Sequence, residues 1–249
     1  MDAGLYISSF GPHFGEEPEL VGKGGSGTIF LTGCNLKCIF CQNYEISHFM
    51  IGKRYSVEEL VDIMLYLQDR GCVNINFVTP THYTPHIMKA IFLARERGLE
   101  IPVVYNCGGY EKVETLKLLD GFIDIYMPDA KFMEPDLSGR YLGACDYPQV
   151  MREAIKEMYI QVRDMVIENG IARKGLLIRH LIMPEGIENA RKILEFIARE
   201  ISVHTYVNIM DQYHPCYRAA DFPEINRRVI SQEYRQVIKI AHDLGFLIR

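Results

Sequence analysis

The sequence contains no apolar run that approaches the roughly 18 to 20 residues of a membrane-spanning helix, so we expect no transmembrane segment. It has no long basic run, and its formal net charge is -5, so binding driven by nucleic-acid phosphates is not expected. Residues 1–10 carry neither a basic cluster nor a long apolar core, and we expect no secretory signal. With 48% apolar and 24% charged residues, the composition is that of a globular protein.

The cysteine content does not indicate a disulfide scaffold, because the 249-residue chain has an odd number of cysteines, 7 in all. We therefore expect a reducing, cytoplasmic location. Three of the cysteines, Cys34, Cys38 and Cys41, lie close together in the sequence. The other four are scattered along the chain: Cys72, Cys107, Cys145 and Cys216.

Short apolar runs alternate with helical patterns along the whole chain. The predicted strands are Thr28–Thr32, Cys72–Val78, Ile101–Tyr105, Phe122–Met127, Leu176–Met183 and Val203–Met210. The predicted helices are Ser56–Arg70, Pro85–Arg97, Glu111–Leu119, Tyr147–Asn169, Ile187–Glu200 and Glu233–Leu244. This alternation is typical of a parallel sheet. We predict a single domain over residues 1–249, with an N-terminal lead-in at 1–27, of which the glycine-rich stretch 22–27 is expected to be flexible, and the sheet within 28–249.

The polarity of the strand faces distinguishes between two architectures. The predicted strand–helix units are fewer than a closed (β/α)8 barrel needs, which leaves an open barrel or a doubly wound sheet. A doubly wound sheet buries both faces and needs apolar residues on both. Here one face is repeatedly polar, as at Asn74 and Asn76, at Asp124 and Tyr126, and at Asn208. We predict an α/β fold, an open parallel (β/α)6 partial TIM barrel, whose polar lumen binds a polar ligand. The alternative is a lumen of mutually hydrogen-bonded side chains and waters.

The motif Cys34-x3-Cys38-x2-Cys41 follows the first predicted strand, at the rim where barrel enzymes place their active sites. Three thiolates on one loop suit zinc, copper(I) or an iron–sulfur cluster. Structural zinc normally has four protein ligands, for which His48 or a distant cysteine is a candidate. A [4Fe–4S] cluster held by three cysteines leaves one iron without a protein ligand, and this iron is a place for chemistry.

The spacing of the three cysteines, with Phe40 before the last, resembles the signature of the radical S-adenosylmethionine superfamily. Five further segments resemble the pyruvate formate-lyase activating enzyme-like subgroup: PHFGEEP at 12–18, GSGTIF at 25–30, CQNYEIS at 41–47, TPTHY at 79–83 and NIMDQY at 208–213. The resemblance implies an open (β/α)6 barrel, a [4Fe–4S] cluster on the three cysteines, and S-adenosylmethionine as a second cofactor.

The resemblance also implies the reaction. S-adenosylmethionine would bind the open iron through its amino and carboxylate groups, and an external one-electron reductant would drive its cleavage to a radical that abstracts hydrogen from a substrate. The substrate is expected to be a glycine loop of a partner protein, as for a glycyl-radical-enzyme activase, or a small molecule. A zinc-binding protein or regulatory module and a barrel whose cluster only transfers electrons are the remaining alternatives.

Candidate cofactor-binding residues lie at the strand ends. Family members often carry Gly-Gly-Glu after the second strand, to meet the amino group of S-adenosylmethionine, and Thr79 and Thr81 occupy that place here. Arg179 is a candidate partner of the S-adenosylmethionine carboxylate, with pairing to Asp124 as the alternative. The remaining cofactor-binding candidates are Phe40, Asn106, Asp129, Lys131, Asn208 and Met210.

The candidate catalytic residues are Tyr110, His214 and Cys107, each near the end of a strand. Because ligand sites in barrels are built from strand-end loops, we expect substrate to enter over strands two to six. It would meet Tyr83, Asn106, Tyr110, Lys131 and His214. The alternative is that these residues only cap strand ends, with Asp129 and Lys131 forming a solvated salt bridge.

Overall fold

A computed structural model describes residues 4–248 of the chain. The strands of its sheet are β1 (Leu5–His13), β2 (Ser26–Leu31), β3 (Lys53–Tyr55), β4 (Ile75–Val78), β5 (Val103–Cys107), β6 (Ile125–Pro128), β7 (Val166–Glu168), β8 (Ile171–Leu181) and β9 (Tyr206–Met210). The helices are α1 (Pro18–Val21), α2 (Tyr44–Ser47), α3 (Val57–Asp69), α4 (Thr84–Glu96), α5 (Val113–Leu118), α6 (Pro135–Leu142), α7 (Tyr147–Val162), α8 (Ile187–Glu200) and α9 (Ser231–Asp243). No helix in this part of the chain is both long and apolar enough to cross a membrane.

Six strands run parallel, in the spatial order β2, β4, β5, β6, β8 and β9. They correspond to the six predicted strands. The sheet does not close within residues 4–248, since β9 pairs with β8 and β3 forms the opposite edge. The prediction of an open parallel (β/α)6 partial TIM barrel is confirmed.

The outer face of the sheet packs against the helices. Ile29 of β2, Phe77 of β4 and Tyr105 of β5 are fully buried on this face, in one apolar core with the helices. The predicted start of α3 is also confirmed. The Glu59 amide donates to Ser56 Oγ at 3.1 Å, and the Ser56 amide donates to Glu59 Oε2 at 2.7 Å. This reciprocal capping satisfies amides that the first turn of a helix leaves without partners.

The predicted lead-in at 1–27 is not separate from the sheet, because β1 and the first residues of β2 lie within it. β1 pairs antiparallel with β2, from Ile7 opposite Leu31 to His13 opposite Ser26, and β3 pairs with β1. Residues 14–21, which we call the strap, lead from the end of β1 through α1, which contacts β8. The strap therefore joins the two sides of the open sheet.

The lumen has an apolar part and a polar part. Leu20 of the strap is fully buried in the lumen. It belongs to an inner cluster with Val104, Ile125, Met127, Ala172 and Leu177. Polar side chains of the lumen bond to the strap: Asn76 Nδ2 donates to Glu16 Oε1 at 3.0 Å, and Asn208 Nδ2 donates to Glu17 Oε1 at 2.6 Å. The lumen is thus partly polar as predicted, and these polar groups bond one another, as in the alternative interpretation.

The predicted orientation of the fourth parallel strand, β6, is wrong. Ile125 faces the lumen, whereas the Tyr126 hydroxyl donates to Gln161 Oε1 of α7 at 2.8 Å. Asp124 accepts a hydrogen bond from Arg95 of α4 at 3.2 Å. Both polar side chains therefore have partners on the helix side. Polarity alone does not identify the inner face of a strand when the covering helices supply such partners.

The predicted helix Tyr147–Asn169 ends early. α7 stops at Val162, and the chain then forms a hairpin of β7 and β8 that turns at Asn169 and Gly170. Both turn residues have positive φ angles, 52° and 81°. A two-residue type I′ hairpin requires this conformation and favours Asn-Gly. The Asn-Gly pair is therefore a hairpin turn and not a helix terminus.

Replacing Leu20 with alanine should lower the free energy of unfolding by about 2–5 kcal/mol, because it removes a fully buried side chain from the inner cluster. Leu118→Ala is the matched control. Leu118 is 64% exposed on α5, so its loss should cost less than about 0.5 kcal/mol. Urea denaturation measures both variants. Equal, small changes would show that the strap is not part of the core.

Candidate active site

The three clustered cysteines lie on the loop after β2, which we call the cysteine loop (residues 33–41). Backbone hydrogen bonds fix this loop from two sides. The Lys37 amide donates to the Leu142 carbonyl at 2.9 Å, and the Ile39 amide donates to the Tyr141 carbonyl at 3.0 Å. From the segment after β9, the Arg218 amide donates to the Ile39 carbonyl at 2.8 Å. The positions of the thiols are thus set by the main chain.

The thiols of the cysteine loop interact electrostatically with one another and with a cation. Burial raises the pKa of Cys38 to about 12; the Lys131 ammonium opposes this, and Cys34 and Cys41 add to it. Burial also raises the pKa of Cys34, while the Leu36 amide, 3.4 Å from its sulfur, opposes the shift. Because neighbouring thiolates repel one another, a bound metal or a nearby cation favours their ionised form.

This donor set fits a [4Fe–4S] cluster. Residues 4–248 contain no group of three or more histidine, cysteine, aspartate or glutamate side chains arranged to hold one metal ion. In a cubane cluster each thiolate binds a different iron, so the sulfurs need only surround a common space. The three cysteines lie on one loop held by main-chain hydrogen bonds, and the nearby positive charge of Lys131, which opposes the rise in the pKa of Cys34 and Cys38, suits an anionic cluster.

Asp129 and Lys131 form an ion pair at the end of β6, next to the cysteines. Lys131 Nζ lies 2.6 Å from Asp129 Oδ2, and the two side chains are 19% and 27% exposed. The pair is therefore more enclosed than the solvated salt bridge of the alternative interpretation. Burial alone would lower the pKa of Lys131, but Asp129 raises it above its usual value, so the ammonium stays charged. The Lys131 amide also donates to the Tyr147 hydroxyl at 3.0 Å.

Tyr110 and His214 each contact a residue next to a cysteine. The Tyr110 carbonyl accepts from Asn35 Nδ2 at 2.6 Å, and its hydroxyl donates to an Asp146 carboxylate oxygen at 2.8 Å. His214 Nδ1 lies 3.3 Å from Gln42 Nε2. The structure thus brings two of the three catalytic candidates to the cysteine loop.

Cys107 does not join them. It shares a strand face with Tyr105, whose ring belongs to the core beneath the helices, so its thiol points away from the lumen. Burial raises the pKa of Cys107 well above its usual value, and Glu111 adds to this. A buried thiol held in its neutral form is a poor nucleophile, so the structure speaks against Cys107 as a catalytic residue.

Two cofactor candidates, Phe40 and Met210, contact neighbouring side chains in this structure. Phe40 is buried, with edge-to-face contacts to Phe132 and Tyr213 at centroid distances of 6.2 and 6.1 Å. Its ring therefore holds the cysteine loop against the barrel. The sulfur of Met210 accepts a hydrogen bond from Gln212 Nε2 at 3.5 Å.

Thr79 and Thr81 lie in a turn between β4 and α4 that is bonded to its neighbours. The Thr79 amide donates to the Asn106 carbonyl at 2.9 Å, and the Thr79 backbone has a positive φ of 61°. Thr81 Oγ1 donates to Glu111 Oε1 at 2.6 Å. Glu111 is buried and also accepts from the Tyr105 hydroxyl at 3.2 Å. The sequence interpretation missed Glu111, which it placed only at the start of a helix.

Arg179 and Asn208 are engaged by the strap. Arg179 bonds to Glu16 and, at 2.7 and 2.8 Å, to the two carboxylate oxygens of Glu17. Burial alone would raise the pKa of Glu17, but Arg179 and Asn208 lower it, so both Arg179 and Glu17 stay charged. Pairing of Arg179 with Asp124 is wrong, and its predicted contact with S-adenosylmethionine would compete with two carboxylates. The sequence offered two separate signals for this network, an acidic pair at residues 16 and 17 and a single arginine within the apolar predicted strand 176–183.

Comparison with known proteins identifies the family. The Radical SAM superfamily profile matches residues 28–197, and the chain belongs to this superfamily. An uncharacterized protein of Methanocaldococcus jannaschii is 33% identical over 244 residues, which cover 95% of this chain and 67% of that protein. A second uncharacterized protein of this organism is 25% identical over 203 residues, which cover 79% of this chain and 55% of that protein. The chain therefore spans only part of each relative.

Solved structures of low sequence identity share the fold. Streptococcus suis SuiB has a TM-score of 0.60 at 15% identity, covering 85% of this chain and 44% of SuiB. The FeFe-hydrogenase maturase HydG from Carboxydothermus hydrogenoformans has a TM-score of 0.58 at 14% identity, covering 89% of this chain and 52% of HydG. The structure of anSMEcpe with bound AdoMet has a TM-score of 0.55 at 13% identity, covering 85% of this chain and 57% of anSMEcpe.

Membership of the superfamily defines the class of protein. Radical SAM proteins are enzymes that use a [4Fe–4S] cluster and S-adenosylmethionine, and these are the cofactors of this chain.

The buried carboxyl group of Glu111 should give the folded protein a measurable pH dependence. Burial raises its pKa from 4.5 to about 7, so the folded state binds this proton more tightly than the unfolded chain does. The resulting stabilisation is complete below the unfolded pKa and is lost as the pH rises through the folded pKa. Between the low-pH and high-pH limits, this stabilisation changes the free energy of unfolding by an amount on the order of 3 kcal/mol.

Glu111→Gln removes this titration while keeping the shape of the side chain. The free energy of unfolding of the wild type, minus that of the variant, should decline from about pH 5 to about pH 8. Urea denaturation across this range measures the difference. A difference that does not change with pH would contradict the assignment.

Proposed function

We propose that Cys34, Cys38 and Cys41 hold the [4Fe–4S] cluster of this radical SAM enzyme, which cleaves S-adenosylmethionine reductively and abstracts hydrogen from a substrate. The observation that carries the proposal is that the three cysteines lie on one loop, which main-chain hydrogen bonds from Lys37, Ile39 and Arg218 fix at the rim. When bound, the cluster supplies the electron for the cleavage. With three protein ligands it leaves one iron for the amino and carboxylate groups of S-adenosylmethionine.

The ion pair of Asp129 and Lys131 is proposed to orient S-adenosylmethionine at the rim. Lys131 offers a positive charge next to the cysteines, where the carboxylate of the bound cofactor would lie. Asp129 holds the ammonium in place and keeps an acceptor near the rim for a ribose hydroxyl. Asn106, on the neighbouring strand β5, is proposed as a further contact.

The substrate is proposed to approach over the rim and meet Tyr110 and His214. The strap fills part of the lumen with Leu20, Glu16 and Glu17, which favours approach from the side of the cysteine loop. Both a glycine loop of a partner protein, as in a glycyl-radical-enzyme activase, and a small molecule can take this route. An external one-electron reductant is required in either case.

Replacing the three cysteines with alanine together should abolish the cluster, because each thiolate is proposed to bind one iron. Anaerobically reconstituted wild type should contain about four irons and four sulfides per chain, and with a strong reductant it should form 5′-deoxyadenosine and methionine. The triple variant should contain no cluster and should form neither product. Iron and sulfide analysis and chromatography of the products are the measurements.

Cys145→Ala is the control, because Cys145 is an exposed cysteine outside the cysteine loop. It should retain both the cluster and the cleavage. Stoichiometric zinc in place of iron, or an intact reduced cluster that does not cleave S-adenosylmethionine, would overturn the proposal.

Lys131→Gln should make the cluster harder to reduce, because it removes a positive charge beside Cys34 and Cys38 and leaves Asp129 without its cation. We expect the midpoint potential to become more negative by about 60 mV or more, which is tenfold for one electron. Redox titration monitored by electron paramagnetic resonance gives the potential. Lys192→Gln, which removes an exposed lysine paired with Glu134, is the control and should leave it unchanged. Equal potentials in all three proteins would show that Lys131 is not beside the cluster.

A further inference from the structure

Glu111 is a buried carboxyl group for which the proposed reaction has no use. Only 1% of the residue is exposed. Its two oxygens accept hydrogen bonds from different parts of the rim, Oε1 from Thr81 Oγ1 at 2.6 Å and Oε2 from the Tyr105 hydroxyl at 3.2 Å. Burying a carboxyl group is costly, and here it connects the turn after β4 to β5.

The turn that Glu111 holds also contacts the cysteine loop. His82, next to Thr81, lies with Nε2 2.7 Å from the Thr32 carbonyl, so the imidazole N–H donates to the main chain just before that loop. A Cβ atom added to Gly33 would lie 3.0 Å from the same nitrogen, which shows how closely the imidazole approaches the residue before Cys34. The Tyr83 hydroxyl is 3.4 Å from Thr32 Oγ1.

The backbone at the start of the turn is in an unfavourable conformation. Thr79 has a φ of 61°, a region that β-branched residues rarely occupy. Such a conformation persists only where the surroundings over-determine it. The hydrogen bond from the Thr79 amide to the Asn106 carbonyl, at 2.9 Å, holds one end of the turn. The hydrogen bond from Thr81 Oγ1 to Glu111 Oε1 holds the other end.

From these contacts we propose that Glu111 is a positioning residue for S-adenosylmethionine: through Thr81 it fixes the turn at 79–83 against the cysteine loop, so that the backbone at Thr79 is preorganised for the cofactor. This inference rests on the proposed function. The turn is bonded to the cysteine loop through His82 and to β5 through Glu111 and Asn106. Binding of S-adenosylmethionine across these elements therefore needs little reordering of the turn.

Four variants and a control test the role of this bond in anaerobically reconstituted protein. Thr81→Val removes the donor, Glu111→Leu removes the acceptor, and the double variant removes both. Thr81→Ser keeps the hydroxyl. Thr205→Val is the matched control, because it removes another threonine–carboxylate bond, from Thr205 Oγ1 to Asp164 Oδ1 at 2.9 Å, outside the turn and the cysteine loop.

Equilibrium dialysis gives the dissociation constant for S-adenosylmethionine, and iron analysis gives the cluster content. Thr81→Val and Glu111→Leu should each raise the dissociation constant about tenfold, the effect of losing one buried hydrogen bond. Thr81→Ser and Thr205→Val should stay within about twofold of wild type. Because both substitutions break the same bond, the double variant should bind no more weakly than the weaker single variant. Cluster content should be unchanged throughout.

The inference fails if the single variants bind S-adenosylmethionine as tightly as wild type, if Thr205→Val weakens binding equally, or if the two single effects add in the double variant. If Glu111→Leu does not fold, Thr81→Val and Thr81→Ser still decide the question. Failure of the wild type itself to bind or cleave S-adenosylmethionine would instead overturn the proposed function.

Discussion

The structure depends on a buried ion pair that joins the two sides of an open sheet. Arg179 enters the lumen from β8, and the strap brings Glu16 and Glu17 to it. A charged guanidinium inside a protein requires partners of opposite charge. The strap cannot leave the lumen without leaving Arg179 unpaired, so this pairing sets the position of Leu20 and fixes the depth of the lumen. It also explains how six strands, too few to close, enclose a stable interior.

With the lumen partly filled from the strap, chemistry is confined to the rim. The cysteine loop is held there by main-chain bonds to α6 and to the segment after β9. His82 fixes the residues just before it, and Lys131 lies beside its thiols. Residues near the ends of several strands contact the cysteine loop, although this loop follows only β2. Such convergence is what a barrel rim offers to an enzyme, and the proposed site of the cofactors lies among these fixed groups.

The strand count and the metal-binding motif could be predicted from the sequence because both depend on local patterns. Apolar runs marked the six parallel strands, and the spacing of three cysteines marked the proposed metal site. β1 could not be found in this way, because serines, a glycine and a proline interrupt its apolar pattern and its second half is largely exposed. Cys107 was misjudged for another reason: its position at a strand end is local, but the side of the sheet that it faces is set by register. Glu111 and the acidic pair of the strap have partners far away in the sequence, at Thr81 and Arg179, and no spacing rule links them.

The central claim is that a cluster on Cys34, Cys38 and Cys41 leaves one iron to S-adenosylmethionine. Electron–nuclear double resonance on the reduced, reconstituted protein tests this directly, with S-adenosylmethionine labelled isotopically at its amino nitrogen and carboxylate oxygen. The account predicts hyperfine coupling from both labels, together with a change in the cluster signal when the cofactor is added. An unchanged signal without coupling from either label, in a protein that carries the full cluster, would contradict it.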